Sequence, residues 1–173
     1  MSKHESWLIF EPKEGENLKT NECYYERLEK ARCEIPKDII HQWIFPHFNE
    51  PNSNKNYSWI NLDTAKFELV YRPISFFEEL NIIKVNEKMV NDYSMNNLPY
   101  WHRDFWKKNA TWETPPIVIE VNSFAKSKPV SSEIEGDYQL VEGHNRLGTL
   151  KLLLKDDRIP ISEKHKVWIL SKK

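Results

Sequence analysis

Cysteine is nearly absent from this chain of 173 residues, and the two that occur, Cys23 and Cys33, belong to no C-x-x-C pair and no Cys/His cluster with zinc spacing. That excludes a disulfide framework and points to reduced thiols in a cytoplasmic protein. No window approaches the roughly 20 apolar residues of a membrane span, and the opening MSKHESWLIFEPKEGE has no sustained apolar segment of a secretory signal. Neither a membrane anchor nor export by an ordinary signal is expected. A dominant charge is missing too: 25 Lys and Arg face 26 Asp and Glu, for a formal net charge of -1. The bulk electrostatics therefore give no pull toward nucleic acid or an anionic membrane, and any nucleic-acid site would be a local patch. His41 and His47 flank Trp43 and Phe45 with no carboxylate or cysteine at ligand spacing, so no protein-only metal site is expected.

What is present suits one globular domain over residues 1–173. The apolar fraction is 39% and the aromatic fraction 13%, while 29% charged residues and a mean hydropathy of -0.71 imply long solvated segments. The order of elements suggests a mixed α+β core over residues 66–173, a small mixed sheet with helices around it, preceded by a helical or irregular extension over 1–60.

In the extension, Trp7 to Phe10 reads as an edge strand or docked arm closed by Pro12. Thr20 to Cys33 has helical spacing of Cys23, Tyr24, Leu28 and Ala31, with Glu26 and Lys30 as an i,i+4 pair. A second helix starts at Pro36 and runs to about Ile44. NEPNSNKN, residues 49 to 56, has no apolar residue and reads as a loop. Phe67 to Tyr71 alternates as a strand ended by Pro73, and Ser75 with Glu78 forms a capping box for a helix through Leu80. From Asn86 to Trp112 only a short helix near Trp101 to Lys107 is expected. Pro115 to Val121 is a β-branched run suited to a strand buried on both faces. A polar loop over 123–136 leads to a second buried strand, Tyr138 to Val141. Leu147, Leu150, Leu153 and Leu154 give an apolar face to a helix over Arg146 to Lys155, and Lys166 to Leu170 closes the core as a strand.

The chemistry concentrates in Glu142-Gly143-His144-Asn145-Arg146, where the second buried strand gives way to that helix. Such a junction aims unpaired N–H groups and the positive end of the helix dipole at one point, which suits an anion. Gly143 permits a sharp turn, Arg146 offers a planar fork for phosphate oxygens, His144 and Asn145 add short polar arms, and Thr149 follows one turn later. Glu142 would repel a phosphate unless it holds a cation, orients Arg146 or accepts a proton. The bland alternative is a helix cap at a strand-to-helix connection.

PPIVIEV, then YQLVEGHNRLGTLKLLL, then HKVWIL resembles the core of the ParB/sulfiredoxin superfamily over about residues 115–170. The resemblance implies a ParB/sulfiredoxin-like fold that binds a nucleotide, ATP, ADP or CTP with Mg²⁺. Gly143, His144 and Arg146 would stand at its phosphate-binding positions and Glu142 at the acidic position of kinase-like members. Asn145 and Thr149 would assist, and Arg72 loosely resembles an arginine placed beside the nucleotide, against the alternative of a solvated strand end. The motif lacks the cysteine of sulfiredoxin-like chemistry, which argues against a reductase.

Three functions stay open. The first is a Mg²⁺-dependent phosphotransferase or nucleotide hydrolase, with Glu142 and His144 as catalytic residues and Glu78 or Glu79 as an outside source of a carboxylate. The second is a nucleotide-responsive module whose N-terminal region binds a protein partner or a second copy. The third is a DNA-acting nuclease or adaptor, disfavoured by the balanced charge. Tyr100, Trp101, His102, Phe105 and Trp106 could stack a nucleobase or complete a core.

Overall fold

The computed structural model describes residues 3–14, 22–31, 34–94, 98–156 and 159–173. Cys33, and the expected helix boundary at Thr20, lie outside the described residues. The chain groups into two compact units: residues 1–67, 123–133 and 171–173 form one, and residues 68–122 and 134–170 the other.

The first unit is helical and aromatic. Glu5–Phe10 is a 3-10 helix rather than a strand: the His4 side chain accepts a hydrogen bond from the Ser6 N–H, and Trp7 and Phe10 are buried. Trp7 donates its indole N–H to the Ile60 carbonyl at 2.8 Å and meets Trp43 edge to face at 5.5 Å. Helix α1 spans Glu22–Lys30, and α2, Lys37–Ile39, passes into a π-helical turn over Ile40–Ile44. The Asn-rich segment is no loop, because α3 spans Pro51–Tyr57 with Pro51 in the first turn, where its missing N–H is not needed. Glu50 caps it, accepting from the Ser53 N–H at 2.6 Å. Asn56 is buried as a connector, donating to the Asn52 carbonyl at 3.0 Å and accepting from the Glu133 N–H at 2.7 Å.

The second unit holds most of a four-stranded open mixed sheet. Its strands are β1 (Ala65–Pro73), β2 (Ile117–Glu120), β3 (Tyr138–Glu142) and β4 (Lys164–Lys172), in the order β1-β4-β2-β3. β2 runs antiparallel to β3 and parallel to β4. Ile117, Val118 and Ile119 are fully buried, as a β-branched run inside a sheet requires. The expected α+β class is therefore observed.

Helix α4 is Ile74–Glu78 with Pro73 at the N-cap, so Ser75 lies inside the first turn and not at the cap position that a capping box requires. Two helices occupy the stretch expected to be mostly irregular, α5 (Lys84–Asn91) and α6 (Tyr100–Asn109). α7 spans His144–Leu153 and starts two residues earlier than its apolar spacing suggests. Leu147, Leu150 and Leu153 enter a core with Phe77, Val118, Leu140 and Val167, whereas Leu154, expected on that face, is 38% exposed. α5 and α7 pack closely, and Gly148 makes room for the Tyr93 ring: a β-carbon there would stand 2.8 Å from Tyr93 Cγ.

Candidate functional site

The junction of β3 and α7 begins as an irregularity in the sheet. Val118 pairs with Leu140, but Ile117 pairs with Glu142, so Val141 is an extra residue that re-aims Glu142 at the strand end. Gly143 follows with φ +107°, a backbone conformation that side-chain-bearing residues rarely adopt. The chain then turns directly into α7, whose first hydrogen bond runs from the Leu147 N–H to the Gly143 carbonyl at 2.9 Å. Gly143, at the N-cap, has no side chain with which to cap this N-terminus.

Arg146 folds back over the turn. A β-carbon on Gly143 would stand 2.9 Å from Arg146 Nε, 3.0 Å from Nη2 and 2.6 Å from Pro116 Cβ. Only glycine admits the guanidinium here. Arg146 Nη2 lies 3.5 Å from Glu142 Oε1, with 22% and 24% of the two side chains exposed. Burial lowers the Arg146 pKa from its ordinary value, and the charge of Glu142 opposes that shift. A partly desolvated cation thus stands at the positive end of a helix dipole, where a cation is disfavoured.

His144 is 8% exposed, and its Nε2 lies 3.0 Å from the Asn86 amide nitrogen on α5. An amide nitrogen only donates, so it selects the tautomer in which Nδ1 carries the proton. Asn86, 58 residues away in the chain, is a component that linear spacing does not reveal.

The other expected residues are distributed differently. Asn145 lies in the first turn of α7, and the Thr149 hydroxyl, 2% exposed as a residue, donates to the Asn145 carbonyl at 2.9 Å. It is engaged within its own helix rather than aimed at the turn. Arg72 has its guanidinium 5.6 Å from the centre of the Phe76 ring and acts electrostatically on Tyr138. Tyr138 and Glu142 are the two ends of β3, about 13 Å apart at strand rise, so the observed contacts of Arg72 do not join it to the glycine turn. The Tyr138 pKa is raised by burial first and by Glu120 second, while Arg72 lowers it.

Glu78 and Glu79 are exposed. In α6 the aromatics divide: Trp106 is buried in the core, while Tyr100 and Trp101 are 69% and 58% exposed. Among the described residues no group of three or more His, Cys, Asp or Glu is placed to hold a metal ion, and no helix is long and apolar enough to cross a membrane.

The fold and this junction define a mixed α+β protein whose open sheet delivers a strand, a glycine turn and a helix. Compared with known proteins, the chain matches no family model, no curated protein and no solved structure.

Proposed function

We propose that the protein binds the phosphates of a nucleotide at the junction of β3 and α7. A conflict of charge carries the reading: the Arg146 guanidinium is held against Gly143 at the N-terminus of α7, where positive potential is already concentrated. A phosphate relieves it, accepting from the planar Arg146 fork, from first-turn N–H groups and from His144 Nδ1. The ParB/sulfiredoxin-like pattern of residues 138–154 favours a nucleotide, ATP, ADP or CTP with Mg²⁺ brought in on its phosphates, over free phosphate.

Within that reading the protein is a nucleotide-responsive binding module. Glu142, the candidate base, is paired with Arg146, and His144 Nε2 is engaged by Asn86, so both act on the positions of other groups. A phosphotransferase or hydrolase would need Glu142 to leave that pair. The near balance of charge disfavours a DNA-acting role. A cytoplasmic location accords with a nucleotide ligand and with two cysteines outside any disulfide framework.

The test is thermal unfolding against ATP, ADP, CTP and GTP, each with and without Mg²⁺, for the native chain and for Arg146→Ala. A ligand at about 100 times its Kd adds roughly 2.7 kcal/mol of apparent stability. A rise in Tm with one nucleotide, absent in the variant, supports the reading. No rise with any of them overturns it, and product formation from the bound nucleotide would favour the enzyme instead.

A further inference from the structure

A second surface lies at the free edge of the sheet. β1 is terminal in the order β1-β4-β2-β3. The bonds from the Ile74 N–H to the Glu163 carbonyl at 3.2 Å and from the Lys173 N–H to the Thr64 carbonyl at 2.8 Å bracket β1 and β4 in the antiparallel sense. In such a ladder the backbone groups of alternate residues face the same side, so residues 68, 70 and 72 turn theirs to β4, while Leu69 and Tyr71 turn theirs outward. Among the described residues, no strand of the sheet lies beyond β1 on that outward side. Their side chains share one face and are 43% and 61% exposed. Pro73, which could donate nothing to a ladder, ends the strand, as is tolerated at an edge.

We propose that this edge pairs with the same edge of a second copy of the chain, antiparallel about a two-fold axis at Val70. The phase of the backbone and the charges select the register. Centring the pair on Leu69 would set Lys66 against Arg72 of the second copy, like against like. Centring it on Tyr71 would set Arg72 against Val70 of the second copy and leave Glu68 with no charge opposite it. Centring it on Val70 makes Leu69 and Tyr71 mutual hydrogen-bonded pairs twice over, with apolar side chains opposed, and sets Glu68 against Arg72 of the second copy twice. An edge guarded against pairing carries charges that repel in its best register, whereas these attract. The strip is small for an interface, so the dimer is weak and concentration-dependent.

Val70 would then face its own copy across a non-hydrogen-bonded pair, with Cα atoms about 4.5 Å apart and within disulfide reach. The test uses the full chain with Cys23→Ser and Cys33→Ser, carrying either Val70→Cys or Leu69→Cys, under mild oxidation. Sedimentation over a wide concentration range is run in parallel on the native chain and on Tyr71→Lys. The expected result is a reversible dimer lost in Tyr71→Lys, with cross-linking through Cys at 70 and little through Cys at 69. A monomer at every concentration, a dimer that survives Tyr71→Lys, or cross-linking through 69 in preference to 70 would overturn the proposal. The cross-linking pair needs no result from Tyr71→Lys, so a folding defect in that variant leaves the register tested.

Discussion

The guanidinium of Arg146 occupies space that a β-carbon on residue 143 would contest, with Nε 2.9 Å and Nη2 3.0 Å from that position. Glycine and arginine, three residues apart, are therefore one device: the first makes room over the helix N-terminus and the second fills that room with positive charge. Its parts respond differently to substitution.

Gly143→Ala must displace both the guanidinium and Pro116 and must hold alanine at φ +107°. The strained backbone alone costs on the order of 1–3 kcal/mol. Urea denaturation should show a loss of that size, and the nucleotide-dependent rise in Tm should vanish with it. A variant as stable as the native chain would mean that the turn relaxes without glycine.

Glu142→Gln removes the carboxylate beside a partly buried guanidinium. Two effects oppose each other: the fold loses a charge-assisted contact, a cost of about 1–3 kcal/mol, while the turn becomes more attractive to an anion. Stability without ligand should fall, and nucleotide affinity measured by calorimetry should rise. Weaker binding that depends on Mg²⁺ would assign Glu142 to the cation instead.

Gly148→Ala sets helix propensity against packing. Alanine gains roughly 1 kcal/mol in a helix interior, but its β-carbon would stand 2.8 Å from Tyr93 Cγ and 2.9 Å from Tyr93 Cβ. These atoms lie near the root of the side chain and cannot swing aside, so overpacking of about 1–3 kcal/mol outweighs the gain. A lower Tm is expected, and Tyr93→Ala in the same chain should recover part of the loss.

His165 is fully buried, with Nδ1 2.8 Å from the Thr111 hydroxyl and the ring among Phe77, Trp106 and Trp112. Burial lowers its pKa to about 4, from 6.5. The folded state then binds fewer protons than the unfolded chain between those values, so stability is full above about pH 6.5 and falls as pH drops toward 4. The loss reaches roughly 3 kcal/mol at the lower end. Denaturation at a series of pH values should show the slope, and His165→Gln should flatten it. An unchanged slope in that variant would place the proton uptake elsewhere.

Legibility in the sequence followed the range of the interaction. The buried run of β2, the break at Gly143 and the leucine spacing of α7 are local patterns. α3 was opaque because its helix rests on Glu50 as a cap and on burial of Asn56 and Tyr57, which composition does not show. The Ser75 capping box failed because the helix starts one residue earlier, at Ile74 with Pro73 as its N-cap, which puts Ser75 inside the first turn. α5 is polar apart from Val85, Met89 and Val90, and it owes its place to packing on α7.

By itself the sequence determined the strand, glycine and helix order at residues 138–153, along with the residue types that give the turn its charge, because those depend on neighbours a few positions apart. Tertiary structure alone decided which side chains meet there. It brought Asn86 to His144, engaged Arg72 with Phe76, tied the Thr149 hydroxyl to its own helix and left Leu69 and Tyr71 on an open edge. Each of those outcomes depends on how distant elements pack, and packing selects partners by shape and burial rather than by separation along the chain.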